Sequence, residues 1–170
     1  MLRLSIHKLR AADYATLANI LCGVGAVYLS FSDKLTWAAV LVLAGVALDK
    51  LDGFVAKKLS QQSEFGAELD SLADIVTFGV ATSVLLFVYL QGTSWAIVPL
   101  LLPVFGALRL ARFNVARHQE EGFFTGVPIT ITGLVFPILV LCGVPNMAVV
   151  VGVIVMSLLM VSNLKIKKFL

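Results

Sequence analysis

Four aspartates stand in two pairs inside long apolar stretches of the chain. Asp49 and Asp52 are three residues apart, and Asp70 and Asp74 are four apart, so each pair lies on a single helical face. A charged side chain costs about 2.5 to 3.5 kcal/mol at the centre of a bilayer and less near its surface. We therefore expect the four carboxylates to face one another and to share a compensating cation.

A divalent metal is the cation that best suits this group. Lys50 lies about 100° around the helix from Asp49 and cannot neutralise the set. Carboxylates, water and substrate phosphate are the oxygen ligands that Mg²⁺ and Mn²⁺ prefer. The alternative is a structural network of the aspartates with basic residues at the helix ends, namely Lys57, Lys58, Arg109 and Arg112. Regular helical spacing favours the metal site, because salt bridges do not require it.

Small residues accompany the carboxylates. Gly53 and Ala56 follow Asp52 on or near the same face, and Gly66 precedes Asp70 by about one turn. A single glycine in a membrane helix usually serves close helix packing. Together these residues predict a smooth wall beside the metals, which lets a flat ring or a phosphate approach the backbone closely.

The elements that position these residues follow from composition. The chain has 170 residues, of which 59% are apolar and 14% charged, and its mean hydropathy is +0.99. Soluble domains are about 45 to 50% apolar and about 25% charged, so an ordinary water-soluble fold is excluded. One membrane span takes about 20 residues. We therefore predict one all-α membrane domain over residues 1–170, a bundle of six transmembrane helices.

Charge and turn residues divide the apolar sequence into these six helices. The predicted bounds are approximately residues 14–31, 35–59, 67–90, 95–118, 127–142 and 148–164. Polar loops are predicted at residues 60–63 and 119–125. Six spans place both termini on the same side of the membrane.

The basic residues indicate which side this is. Twelve of the 13 fall on the side of the termini, and Lys34 falls on the other. The twelve are Arg3, Lys8, Arg10, Lys50, Lys57, Lys58, Arg109, Arg112, Arg117, Lys165, Lys167 and Lys168. This bias predicts cytoplasmic termini in the cell membrane. The aspartates then lie toward the cytoplasmic ends of their helices, and Trp37 and Trp95 lie near the outer interface.

The spacing of the acidic and small residues resembles a known signature. Asp49-x2-Asp52-Gly53-x2-Ala56-Lys57-x8-Gly66-x3-Asp70-x3-Asp74 is similar to that of the CDP-alcohol phosphotransferases, integral membrane enzymes with six transmembrane helices. Lys57 stands where the family usually has Arg. It keeps the charge that attracts phosphate but not the bidentate fork of a guanidinium.

The resemblance implies roles for the matching residues. Asp49, Asp52 and Asp70 would ligate two divalent ions, Mg²⁺ or Mn²⁺, and Asp74 would share the metal site and act as general base. Residues that match the family's CDP pocket are Asp52, Gly53, Ala56, Lys57 and Gly66. The family also implies a homodimer.

Further segments resemble the phosphatidylserine synthase branch of this family, whose archaeal members make archaetidylserine. They are Asp13-Tyr-x-Thr16-Leu-x-Asn19-Ile-x-x-Gly23, Asp70-Ser-Leu-Ala-Asp74-Ile-Val-Thr-Phe78-Gly79, Gly106-Ala-Leu-Arg109-Leu-Ala-Arg112-Phe113-Asn114 and Phe124-Thr-Gly126-Val-Pro128. The branch implies transfer from CDP-diacylglycerol or CDP-archaeol to L-serine, with release of CMP.

Two arginines and one asparagine are candidates for substrate contacts. Arg109 and Arg112 are one turn apart on one face, where they could hold the carboxylate of serine or a lipid phosphate. Anchoring at the cytoplasmic interface is their alternative role. Asn19 is a polar residue of the first helix, and either contacts the nucleotide or makes an interhelical hydrogen bond.

Another acceptor alcohol, a cation transporter and a structural scaffold are the alternatives to serine transfer. Glycerol phosphate or inositol phosphate as the acceptor would favour an additional basic cluster in the pocket. A divalent-cation transporter would need polar or acidic residues that continue to the outer face, and the sequence has no such ladder. A structural scaffold explains the hydrophobicity but not the spacing of the aspartates. No nucleic-acid partner is expected.

Overall fold

A computed structural model describes residues 10–58, 63–117, 124–162 and 165–166. Some predicted features lie outside this part of the chain. They are the cations Arg3, Lys8, Lys167 and Lys168, most of the two polar loops, and the side chains of Ala56, Arg117 and Lys165.

In these described ranges the structure confirms an all-α architecture, with six helical runs and one short strand pair. The helices are α1 (Ala11–Phe31), α2 (Leu35–Lys58), α3 (Glu64–Tyr89), α4 (Leu101–Arg117), α5 (Thr130–Leu141) and α6 (Asn146–Val161). Two-residue strands β1 (Phe124–Thr125) and β2 (Lys165–Ile166) pair antiparallel. The predicted bounds differ most at α4, which is preceded by turns and a 3₁₀ segment, Val98–Leu100, that contains Pro99. Proline lacks a backbone N–H and is best tolerated in the first turn of a helix, although α5 contains Pro137 in its interior.

Three helical stretches in the described residues are long and apolar enough to cross a membrane. They are Ala12–Phe31, Glu64–Tyr89 and Val98–Val115. Helices α5 and α6 are apolar but shorter. Helix α2 has 24 residues, but Asp49, Lys50 and Asp52 make its second half less apolar. The apolar helices thus indicate a membrane protein.

Helix α3 lies at the centre of the bundle and is irregular in its middle. Residues Ile75–Ala81 form a π-helix between the α-helical segments Glu64–Asp74 and Thr82–Tyr89. Hydroxyl groups lie within hydrogen-bond distance of carbonyls of this segment. Thr82 Oγ1 donates to the carbonyl of Thr77 at 3.2 Å. Thr132 Oγ1 shares its proton between the carbonyl of Phe78 at 2.8 Å and that of Ile129 at 2.6 Å. Such side-chain bonds satisfy backbone groups that an irregular helix leaves open in an apolar setting. The apolar pattern predicted a regular helix here and contains no sign of the π segment.

Glycines allow the neighbouring helices to approach α3 closely. A Cβ atom added at Gly23 of α1 would lie 2.9 Å from Thr77 Cα, and one added at Gly45 of α2 would lie 2.7 Å from Thr77 Cγ2. Both distances are shorter than carbon atoms tolerate. The first three helices therefore meet around Thr77, one turn beyond Asp74.

Gly133→Ala is expected to destabilise the protein, because the added methyl group would overlap the buried ring of Phe78. Overpacking of this kind costs about 1 to 3 kcal/mol, so the thermal unfolding midpoint in detergent should fall. Gly152→Ala is the matched control, since its Cβ would meet Phe136 at an ordinary 3.5 Å. Equal midpoints for the two variants would contradict the close packing of Gly133 on Phe78.

Candidate metal centre and active site

Three of the four aspartates converge at one point between α2 and α3. Asp49, Asp70 and Asp74 each bring one carboxylate oxygen within 4.8 Å of the others. Asp74 is buried, with 7% of its surface exposed, whereas Asp49 and Asp70 are half-buried. We call these three residues the carboxylate cluster.

The start of α3 explains how two of these carboxylates come to share a face. Ser63 caps the helix, and its Oγ accepts a hydrogen bond from the N–H of Gly66 at 3.0 Å. The helix is then regular as far as Asp74, so Asp70 and Asp74 lie one turn apart on the same side. The π-helix begins at the next residue, Ile75, and π-helical turns are frequent at functional sites.

Asp52 is near the cluster along α2 but is held by a different helix. Its Oδ2 accepts a hydrogen bond of 2.8 Å from Thr16 Oγ1 of α1. Both side chains are buried, with 6% of Asp52 and 3% of Thr16 exposed. One oxygen of Asp52 is therefore occupied by α1.

Arg109 of α4 is the basic side chain that is buried within the described part of the chain. It lies close enough to Asp74 for the two charges to attract each other. Its Cζ is 5.7 Å from the ring centroid of Phe113, and its Nε has no hydrogen-bond partner among the described residues. Arg109 thus lies within electrostatic range of Asp74, and its Nε keeps donor capacity for a ligand.

Arg112 points elsewhere, although it is only one turn from Arg109. It is exposed, and its Nη1 donates to the carbonyl of Val161 at 3.1 Å. This carbonyl belongs to the last residue of α6. The structure therefore separates the two arginines that the sequence placed on one face.

Of the residues that predict the smooth wall, the structure describes the surroundings of Gly53 and Gly66. Among the described residues, no atom beyond the nearby backbone of α2 lies within 4 Å of the position that a Cβ would take at Gly53, so the helix borders open space there. A Cβ at Gly66 would lie 3.1 Å from both Asp13 Oδ1 and Ser63 Oγ. Lys57 is exposed. The wall stays a prediction, with open space at Gly53 in its favour.

Asn19 is fully buried one turn below Thr16 on α1. Its side-chain amide has no hydrogen-bond partner in the described structure, while its backbone carbonyl accepts a bond of 3.0 Å from Thr77 Oγ1. A Cβ at Gly45 would lie 2.7 Å from its Oδ1. The Asn19 side chain therefore packs where α1, α2 and α3 meet. Among the described residues it does not make the interhelical hydrogen bond that was one of its two predicted roles.

Sequence reasoning missed two polar groups beside the site. The family resemblance includes Thr16 but gives it no role. The signal that could have found it is the spacing of Asp13, Thr16 and Asn19 at intervals of three, which indicates one polar, buried face of α1. Asn114 also received no role. Its Nδ2 donates to Glu68 at 3.2 Å and its Oδ1 accepts from Ser71 Oγ at 3.3 Å, which joins α4 to α3.

The carboxylate cluster fits a divalent cation. Its donors are all oxygens, the ligands that hard cations prefer. Asp74 Oδ1 is buried and has no hydrogen-bond partner among the described residues, a costly arrangement for a carboxylate unless a ligand meets it. The single guanidinium of Arg109 cannot neutralise three carboxylates.

Comparison with known proteins agrees with the geometry. Residues 9–162 match the family model described as CDP-alcohol phosphatidyltransferase.

Individual relatives cover most of the chain. A Methanocaldococcus jannaschii protein named CDP-diacylglycerol–serine O-phosphatidyltransferase is 36% identical over 169 residues, which cover 97% of this chain and 78% of the relative. A Helicobacter pylori protein of the same name is 33% identical over 166 residues, which cover 91% and 70%. The archaetidylserine synthase of Methanothermobacter thermautotrophicus is 32% identical over 159 residues, which cover 90% and 67%.

Proposed function

Because the chain belongs to the CDP-alcohol phosphatidyltransferase family, we propose that it transfers a phosphatidyl or archaetidyl group from a CDP-activated lipid to L-serine. The serine hydroxyl becomes esterified and CMP is released. The names of the relatives support serine as the acceptor.

One structural observation carries this proposal: Arg109 is buried and lies within electrostatic range of Asp74, a member of the carboxylate cluster. An acceptor that places its hydroxyl near Asp74 brings its other groups within reach of Arg109. A guanidinium binds a carboxylate through two parallel hydrogen bonds, and serine carries a carboxylate next to its hydroxymethyl group. The same site would therefore bind both the hydroxyl of serine, which attacks, and its carboxylate, which distinguishes serine from other alcohols.

The aspartates supply the chemistry of the transfer. Asp49, Asp52, Asp70 and Asp74 would hold two divalent ions, Mg²⁺ or Mn²⁺, whose charge would neutralise the diphosphate of the CDP-lipid. Asp74 acts as general base and takes the proton of the serine hydroxyl on its carboxylate. The serine oxygen then bonds to the lipid-bearing phosphorus, and the bond from that phosphorus to the CMP oxygen breaks. The products are a phosphodiester lipid and CMP.

The nucleotide would lie along the small residues of α2 and α3. Gly53, Ala56 and Gly66 would line it, and open space beside Gly53 supports this position, whereas Gly66 packs against Asp13 and Ser63. Lys57 attracts phosphate through its charge, while Asp52 and Asn19 complete the proposed CDP site. Arg112, exposed at the end of α6, is suited to a lipid phosphate.

We propose a single multi-pass domain with six spans in the cell membrane. The apolar helices support several of these spans, and the distribution of the basic residues supports cytoplasmic termini and a cytoplasmic active site. Homodimerisation is an expectation from the family.

The same geometry weighs against the alternatives. Glycerol phosphate and inositol phosphate carry a phosphate dianion, which calls for more than one nearby cation. Among the described residues, Arg109 is the one buried cationic side chain. A cation transporter needs acids along its path. The buried acids of the described residues, Asp13, Asp52 and Asp74, lie at one end of the bundle, and Leu85, Leu86 and Leu90 fill the core toward the other.

An acceptor panel tests the proposal. Purified protein with Mn²⁺ or Mg²⁺ and CDP-diacylglycerol is expected to release CMP with L-serine, and at least tenfold more slowly with glycerol 3-phosphate or inositol phosphate, at about 1.4 kcal/mol per factor of ten. Preference for a phosphate-bearing alcohol would refute serine as the acceptor. Absence of CMP with every alcohol, combined with metal flux into proteoliposomes, would refute the transfer reaction and favour transport.

A further inference from the structure

Thr16 makes a hydrogen bond that no part of the proposed function uses. Its Oγ1 donates to Asp52 Oδ2 at 2.8 Å across the interface of α1 and α2. The same oxygen lies 3.2 Å from the carbonyl of Ala12, one turn earlier in α1. A hydroxyl group has one proton, and the shorter bond to the carboxylate is the stronger because charge assists it.

The surroundings hold this pair in one arrangement. Both side chains are buried, and threonine in a helix has only two favoured χ1 rotamers. The Ala12 carbonyl also lies within reach of the hydroxyl, which limits the rotation of the side chain further. Thr16 therefore presents a fixed donor to Asp52.

The bond to Thr16 gives the two carboxylate oxygens of Asp52 different roles. Because Oδ2 is bound to Thr16 of α1, Oδ1 is the oxygen that a cation beside Asp49, one turn earlier in α2, would meet. Carboxylates that bind metals are commonly oriented by such outer hydrogen bonds, whose loss lowers metal affinity or activity by about 10- to 100-fold.

We propose that Thr16 is a positioning residue for the metal centre, which acts by orienting Asp52 as a ligand. The proposal rests on the divalent-metal site of the proposed function, but not on serine as the acceptor. It assigns α1 a part in a centre whose other residues come from α2 and α3.

Mn²⁺ binding to the full-length protein in detergent, followed by electron paramagnetic resonance without nucleotide or serine, tests this proposal. Thr16→Val keeps the shape of the side chain but removes the donor, and is expected to weaken Mn²⁺ binding about 10- to 100-fold. Thr16→Ser keeps the hydroxyl and is expected to bind Mn²⁺ nearly as wild type does. Ser30→Ala removes another buried hydroxyl of α1, which bonds to the carbonyl of Ala26 near the opposite end of the helix, and should leave Mn²⁺ affinity unchanged.

A double-mutant cycle separates positioning from a general packing role. If Thr16 acts through Asp52, Thr16→Val should have no further effect on Mn²⁺ affinity in an Asp52→Asn background. An equal loss in both backgrounds, or a loss in Thr16→Ser as large as in Thr16→Val, would overturn the proposal. Wild-type Mn²⁺ affinity in a folded Thr16→Val protein would overturn the positioning role of Thr16 but not the metal site. Absence of Mn²⁺ binding to the wild-type protein would overturn both.

Discussion

Asp70→Asn is expected to abolish CMP release from CDP-diacylglycerol and serine, with a loss of about a thousandfold or more in rate. The substitution keeps the size of the side chain but removes one of the three charges that converge within 4.8 Å. An amide is a weaker ligand for a hard cation than a carboxylate. The rate should be measured at saturating serine, and chelation of divalent metal from wild type should produce a similar loss.

The control for this variant is Asp33→Asn. Asp33 is exposed between α1 and α2 and has a left-handed backbone, with φ of 57°, a conformation that asparagine also adopts readily. This variant should retain wild-type activity. If Asp70→Asn were folded and released CMP at the wild-type rate, the carboxylate cluster would not be the catalytic metal centre.

Arg109→Gln is expected to raise the KM for serine about a hundredfold, since a hydrogen bond to a charged group is worth about 1.5 to 3 kcal/mol. The substitution removes the buried cation beside Asp74. The KM for the CDP-lipid should change much less. Arg109→Lys should recover only part of the loss, because lysine keeps the charge but not the planar fork.

Ethanolamine provides a matched acceptor, because it has a hydroxyl and an ammonium group but no carboxylate. If Arg109 binds the serine carboxylate, the variant should lose its preference for serine over ethanolamine. Lys34→Gln removes an exposed cation at the opposite end of α2 and should change neither KM. A higher KM for the CDP-lipid with an unchanged KM for serine would instead assign Arg109 to the lipid phosphate.

Much of the fold was predictable because membrane insertion constrains composition. Apolar runs and turn residues located all six helices, and the i, i+4 spacing located Asp70 and Asp74 on one face. The same reasoning indicated a cation at the aspartates, since charges in an apolar helix require compensation. These inferences depend on local sequence and on the cost of burying charge.

Features that depend on packing between helices were not predictable. The separation of Arg109 from Arg112 follows from where α6 ends, because the carbonyl of Val161 binds Arg112. The bond from Thr16 to Asp52 joins residues 36 positions apart, and no local pattern encodes that distance. The carbonyls of the π-helix likewise lie within hydrogen-bond distance of the hydroxyl groups of Thr82 and Thr132, the second of which comes from another helix.

The π-helical segment also has a consequence for how this chain tolerates changes in length. Each residue of an α-helix advances the direction of the side chains by about 100°, so the widened turn at Ile75–Ala81 sets the angular offset between the two halves of α3. Loss of one residue here would restore a regular helix but turn Asp74 away from Asp49, or turn Leu85 and Leu86 out of the core. The half of α3 that carries Asp70 and Asp74 and the half that carries Leu85 and Leu86 are thus kept in phase by the irregular turn, which constrains the length of this segment.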